Sequence, residues 1–203
     1  LISHETIYTL IRKDKREGGE LYKSCRHALK HRRRAVCGSR SAIPNRTGIE
    51  HRPKEADGKR FGDFEMDTII GKGNKSAIVT IIERSTNMLF MRKLNDGKNA
   101  KELAKIVIRL LRPYKGFVKT ITTDNGKEFA CHEMIADALD TKVYFADPYA
   151  SWQKGAVENV NGLIRQYIPK KTAFEDISHQ QITRYMHEIN NRPRKKLEFS
   201  TPR

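Results

Sequence analysis

Gly62-Asp63-Phe64-Glu65-Met66-Asp67-Thr68-Ile69-Ile70 is the stretch on which the fold turns. Acidic and apolar residues alternate along it, the period of a strand with two unlike faces, so Asp63, Glu65 and Asp67 share one face. Two further runs rich in Ile, Val, Thr, Phe and Met follow, Ser76–Glu83 and Met88–Leu94, set off by Gly71-Lys72-Gly73-Asn74 and Ser85-Thr86-Asn87. Three strands joined by short turns make an antiparallel meander the simplest pairing. Ala100–Leu111 then places Leu103, Ile106, Val107, Leu110 and Leu111 at helical spacing and stops at Pro113. Downstream come a β-rich run at Phe117–Thr123, a helix over Glu128–Leu139, a short strand at Val143–Ala146, a helix over Trp152–Ile168 and a last helix over Ile177–Asn190. The order β-β-β-α-β-α-β-α predicts an α/β domain, a mixed sheet covered by helices.

Charge divides the chain around that domain. The 203 residues carry a net +16, of which residues 1–60 hold +9, residues 61–168 only +3 and residues 169–203 +4. A nearly balanced domain flanked by basic segments favours a polyanionic partner, since each phosphate neutralised releases counterions. The runs Arg32-Arg33-Arg34 and Arg194-Lys195-Lys196 are the natural contacts. Four segments are expected: 1–12, a helix capped by Ser3 with Ile7, Leu10 and Ile11 on one side; 13–60, a basic linker; 61–168, the mixed-sheet domain; and 169–203, a helix and basic tail. Leu1 rather than Met opens the chain, which suggests a segment upstream. No apolar run reaches the roughly 18–20 residues of a membrane span, and three scattered cysteines make no disulfide framework, so a cytoplasmic setting is expected. Cys25, His27, His31 and Cys37 do not match common zinc spacings.

Three carboxylates stand where chemistry could use them. Asp67 lies in the first strand, Asp124 ends the fourth in Thr122-Thr123-Asp124-Asn125-Gly126, and Glu158 lies on the helix face opposite its apolar stripe. A carboxylate in mid-sheet is costly unless a cation compensates, and three like charges together call for divalent metal. Asp63 and Glu65 share the strand face of Asp67, so alternation alone does not choose among them. Lys154, Asn161 and Arg165 fall on the side of Glu158 and are read as contacts to DNA phosphates. Trp152 is expected in the core, with stacking on a splayed base as the other reading. His132 is available as a proton shuttle.

Thr122-Thr123-Asp124-Asn125-Gly126-Lys127-Glu128-Phe129 resembles the second-aspartate motif of retroviral-type integrases and transposases. Asp147-Pro148-Tyr149-Ala150-Ser151-Trp152-Gln153-Lys154-Gly155-Ala156-Val157-Glu158-Asn159 resembles their glutamate motif, at a similar spacing. Ser3–Tyr8, Gly62–Lys72, Tyr144–Tyr149, Asn161–Tyr167 and Leu197–Pro202 resemble, in order, blocks of the bacterial insertion-sequence-thirty family of transposases. The likeness departs at Val157, where that family usually has Asn, and at Phe64, where it often has Trp.

The resemblance implies an RNase H-like catalytic domain whose triad Asp67, Asp124 and Glu158 binds Mg²⁺, as two ions, with Mn²⁺ able to substitute. It implies cleavage and strand transfer at the terminal inverted repeats of an insertion sequence, in the bacterial cytoplasm at the nucleoid, with double-stranded DNA of the element ends and target as partner. A homo-oligomer would bring the ends together, and Ser3–Ile11 would be the tail of an upstream helix-turn-helix region. A nuclease that only cuts, or a DNA-binding protein without chemistry on the same scaffold, are the alternatives.

Overall fold

The computed structural model describes residues 3–25, 43–74, 76–95, 97–148 and 150–202. The chain divides into two compact units, residues 1–42 and 43–203. In the first, helix α1 (His4–Arg16) starts on Ser3, whose hydroxyl accepts the Thr6 amide, and runs one turn further than expected. Its face bearing Ile7 and Leu10 is exposed. The run Arg32-Arg33-Arg34 and the residues His27, His31 and Cys37 lie outside the described residues.

The second unit is built on six strands: β1 (Thr47–Gly48), β2 (Asp63–Ile70), β3 (Ala77–Glu83), β4 (Leu89–Leu94), β5 (Thr120–Thr123) and β6 (Lys142–Phe145). They lie in the order β1-β6-β5-β2-β3-β4. β2, β3 and β4 form the expected antiparallel meander, while β2, β5, β6 and β1 run parallel. The mixed sheet is thus as the pattern predicts, with one strand more.

Alternation sorts the apolar side chains to two faces. Phe64, Met66, Val79 and Ile81 pack with Leu103, Val107 and Leu111 of α2 (Ala100–Leu111) and Ile135 and Leu139 of α3 (His132–Leu139). Ile69, Ile78, Ile82, Leu89 and Met91 pack with Val157, Val160 and Ile164 of α4 (Gly155–Tyr167) and Ile182 and Ile189 of α5 (His179–Asn190). Burial of two such layers is the main favourable contribution to folding, at about 25 cal/mol per Å² of apolar surface.

Several boundaries move, each for a local reason. The run predicted as strand from Phe117 begins only at Thr120, because Arg112–Phe117 is a 3₁₀ turn against Gly62. Gly62 has φ +106°, and a Cβ there would collide with the Phe117 carbonyl, so only glycine fits. The helix expected over Glu128–Leu139 splits into a 3₁₀ turn (Lys127–Phe129) and α3, since Glu128 and Phe129 turn into the interior.

The expectation of a linker over 13–60 needs correction for its second half. Thr47-Gly48 adds an edge strand beside Tyr144-Phe145, Arg52 donates to Thr122 Oγ1 at 3.1 Å, and Ala56 is buried. A two-residue strand held by long-range pairing carries no periodicity to read.

Candidate active site

On β2 the three acids that alternation could not separate each meet a different cation. Asp63 receives Arg60 Nε and Nη2 at 2.7 and 3.0 Å and the Thr120 hydroxyl at 2.6 Å. Glu65, fully buried, pairs with Arg84 Nε at 2.9 Å and accepts the Val157 amide at 2.9 Å. Both carboxylates are satisfied by the fold. Asp67 instead faces Lys154, whose Nζ is 3.4 Å from Asp67 Oδ1 and 3.4 Å from Asp124 Oδ2.

Strand register brings the two aspartates to this point. β2 and β5 pair in parallel with Asp63 opposite Thr120 and Glu65 opposite Thr122. Two residues on, the same register sets Asp124 beside Asp67, just past the carboxyl end of β5. The rest of that motif secures the turn. Asn125 donates to the Ala146 carbonyl at 2.7 Å and accepts from Arg46, tying β5, β6 and the segment before β1 together. The Gly126 amide donates to Asp124 Oδ1 at 2.8 Å. A Cβ on Gly126 would lie 2.6 Å from Glu128 Oε2 and 3.0 Å from Asp124 Oδ1, so the glycine leaves room for both carboxylates.

Helix α4 supplies the other side. Asn161 Nδ2 donates to Asp67 Oδ2 at 2.9 Å while its Oδ1 accepts the Thr80 hydroxyl at 3.0 Å. Thr80 is the cross-strand partner of Asp67. Lys154, at the helix start, and Asn161, two turns on, both touch Asp67, and Glu158 lies between them on that face with its side chain exposed. Among the described residues no three Asp, Glu, His or Cys side chains gather closely enough to hold a metal ion. The fold brings Asp67 and Asp124 together and leaves Glu158 on the neighbouring helix turn.

Burial pushes the Asp67 carboxyl above the ordinary aspartate range; Lys154 opposes the rise and the Asp124 charge adds to it. Two carboxylates converging on one positive charge are a donor set of hard oxygens suited to a divalent cation. Glu128, absent from the expected site, borders it. Its carboxylate accepts the Thr68 hydroxyl at 2.9 Å and Lys98 Nζ at 2.7 Å. Burial raises its pKa, and the bonds from Lys98, the backbone and Thr68 more than offset that and hold it below the ordinary glutamate range.

The residues expected to reach DNA divide. Lys154 is buried between the aspartates and Asn161 is engaged with Asp67 and Thr80, so both act within the site in this state. Arg165 reaches the Ile70 carbonyl at 3.3 Å. Arg194 donates to the Ile189 carbonyl at 2.8 Å, and Lys196 donates to the Arg84 carbonyl and Asn87 Oδ1, both at 2.7 Å. Lys195 of that run is exposed, and among the described residues its ammonium has no hydrogen-bond partner. Basic side chains are donors, and composition does not distinguish a protein carbonyl from a phosphate.

Trp152 corrects another expectation: it is 76% exposed, not core. Its turn, Ser151–Lys154, is pinned behind it, where the Asp147 amide donates to Gln153 Oε1 at 2.8 Å and Gln153 Nε2 donates to Asp147 Oδ2 at 2.9 Å. His132 is buried edge-on against Phe145, ring centroids 4.9 Å apart, which suits packing.

Residues 53–151 match the Integrase core domain family. The transposase for insertion sequence element IS4351 of Bacteroides fragilis is 51% identical over 207 residues, covering 100% of this chain and 63% of the relative. Residues 53–151 thus carry an integrase core, and the chain is similar to insertion-sequence transposases. The transposase for IS1086 of Cupriavidus metallidurans is 35% identical over 99% of this chain and 61% of its own length. Transposase InsI for IS30C of Escherichia coli K12 is 34% identical over 89% of this chain and 47% of its own. The chain thus spans less than two thirds of the length of these relatives. The catalytic core of BIV integrase superposes with a TM-score of 0.51 at 18% identity, over 70% of this chain and 90% of that one, which shows the retroviral-integrase, RNase H-like fold of this integrase core.

Proposed function

We propose that this transposase core cuts DNA at the ends of an insertion sequence and joins the freed ends to a second DNA, using Asp67, Asp124 and Glu158. The observation that carries this reading is the convergence of Asp67 and Asp124 on one cation beside the helix face that presents Glu158.

Divalent metal, which integrase-type chemistry depends on, supplies Lewis acidity and neutralises charge developing on the phosphate. Asp67, Asp124 and Glu158 would hold it; Mg²⁺, with Mn²⁺ as substitute and two ions bound, is our assignment. In the first step a water oxygen bonds to phosphorus, the bond to the 3′-oxygen breaks, and that oxygen leaves as a 3′-OH. In the second, the 3′-oxygen bonds to a target phosphorus and displaces one target oxygen in line. The carboxylates hold and orient; Asn161 fixes one oxygen of Asp67 and leaves the other to the Lys154 ammonium that Asp124 shares. Double-stranded DNA is the substrate, with Arg165 and Lys195 as backbone contacts; the run Arg32-Arg33-Arg34, which lies outside the described residues, is a further basic candidate by sequence alone, and two copies pair the ends. The setting is the bacterial cytoplasm; no described helix is long and apolar enough to cross a membrane.

A labelled pre-cleaved element end incubated with a second duplex tests this. Metal-dependent joining is expected; cutting of an uncleaved end with no joined product would instead make the protein a nuclease.

Trp152, exposed two residues from Lys154, is our candidate to stack on an unpaired base at the cut end. It is the chain's one tryptophan, so emission reads this position alone. Quenching by an end duplex with unpaired terminal bases, and less by a blunt duplex, is expected; equal quenching by both would refute the stacking.

A further inference from the structure

We propose that Lys154 is an internal counter-cation that holds Asp67 and Asp124 together in the metal-free protein and is displaced into solvent when a divalent cation enters. This rests on the reading of these aspartates as metal ligands.

The contrast along β2 carries the argument. Asp63 and Glu65 are each held by an arginine with Nε at 2.7 and 2.9 Å, distances of committed charge-assisted hydrogen bonds. The third acid of the same face is given a lysine, at 3.4 Å, shared equally with Asp124. An arginine fork is rigid and suits a permanent pair; a lysine is a point charge on a flexible four-carbon stem that can swing away.

The position also explains how a metal-free site survives. Asp67 and Asp124 repel each other, and the Asp67 side chain is only 20% exposed, so something positive must lie between them. One ammonium against two carboxylates leaves a net negative charge. A divalent ion removes it and takes the oxygens at about 2.0–2.1 Å if it is Mg²⁺, closer than an ammonium nitrogen approaches. The two cations compete for one place. Lys154 is nearly buried, and its backbone is held at the start of α4, so only its side chain needs to move. Loading would expose an ammonium at the rim of the site, on the side where DNA phosphates must lie.

The test uses the chain without DNA. Mn²⁺ is titrated calorimetrically into wild type, Lys154→Met and Asp124→Asn. Loss of the competing charge is expected to tighten Mn²⁺ binding by roughly tenfold in Lys154→Met. In wild type, acylation of lysines read by mass spectrometry needs no variant to fold: Lys154 is expected to react slowly in chelator and several-fold faster with Mn²⁺, exposed Lys142 serving as the unchanged reference. Unchanged Mn²⁺ affinity in Lys154→Met, or Lys154 labelling indifferent to Mn²⁺, overturns the displacement while leaving the aspartates as ligands if Asp124→Asn has lost binding. Wild-type affinity in Asp124→Asn would overturn the metal site itself, and this proposal with it.

Discussion

Asp124→Asn is expected to lower both end cleavage and end joining by about 10³-fold or more. A bound metal contributes several kcal/mol of charge stabilisation in the transition state, and ~4 kcal/mol corresponds to three decades of rate. Asn keeps the shape and removes the charge that would hold the ion, so the loss should appear in both steps alike. Asp67→Asn and Glu158→Gln should behave the same way, with different effects on folding. Glu158 is exposed, so its variant should unfold like wild type. Asp67 is part-buried and its carboxyl is pushed up by that burial, so Asn there relieves a cost and should stabilise the metal-free chain. A stability gain with an activity loss is the signature of a group retained for chemistry. Metal-dependent cleavage by Asp124→Asn at more than a tenth of the wild-type rate would end its assignment.

Arg84→Met is expected to destabilise the second unit by about 3–5 kcal/mol, the usual cost of leaving a buried charge without its partner. Arg84 Nε is 2.9 Å from a Glu65 that is 1% exposed, and its guanidinium also donates to the Ala56 carbonyl, tying the segment before β2 to the sheet. Glu65 in turn accepts the amide of Val157, one residue before Glu158, so losing the pair also loosens the first turn of α4. Urea unfolding of wild type and variant measures this directly. A difference below about 1 kcal/mol would mean that Glu65 finds another partner in the folded chain. Glu65→Gln sharpens the division of labour on β2, since it should weaken the fold and leave Mn²⁺ affinity within about twofold of wild type if Asp67 alone among the three acids is a ligand.

The strand meander, α2 and the apolar faces of α4 and α5 were legible in sequence because period and punctuation are local properties. Leu103, Val107 and Leu111, or Phe64 and Met66, announce their face without knowledge of what covers it. The family-like blocks carried the rest of the site reading, as they single out Asp67, Asp124 and Glu158 by position alone. What alternation could not do was choose among Asp63, Glu65 and Asp67. That depends on which cation arrives opposite each, and Arg60, Arg84 and Lys154 come from a loop, the end of β3 and the start of α4. The same limit explains the basic residues. The charge of Lys154, Arg194 and Lys196 is visible in sequence, while their partners within the protein are not. Trp152 read as core because a large aromatic beside an apolar helix usually is, and only the pinned turn from Asp147 to Gln153 holds it outward. The sequence by itself determined which residues could be buried and which acids could matter. Tertiary structure decided which acids were already spoken for, since pairing a buried charge is a matter of long-range geometry that no local pattern encodes.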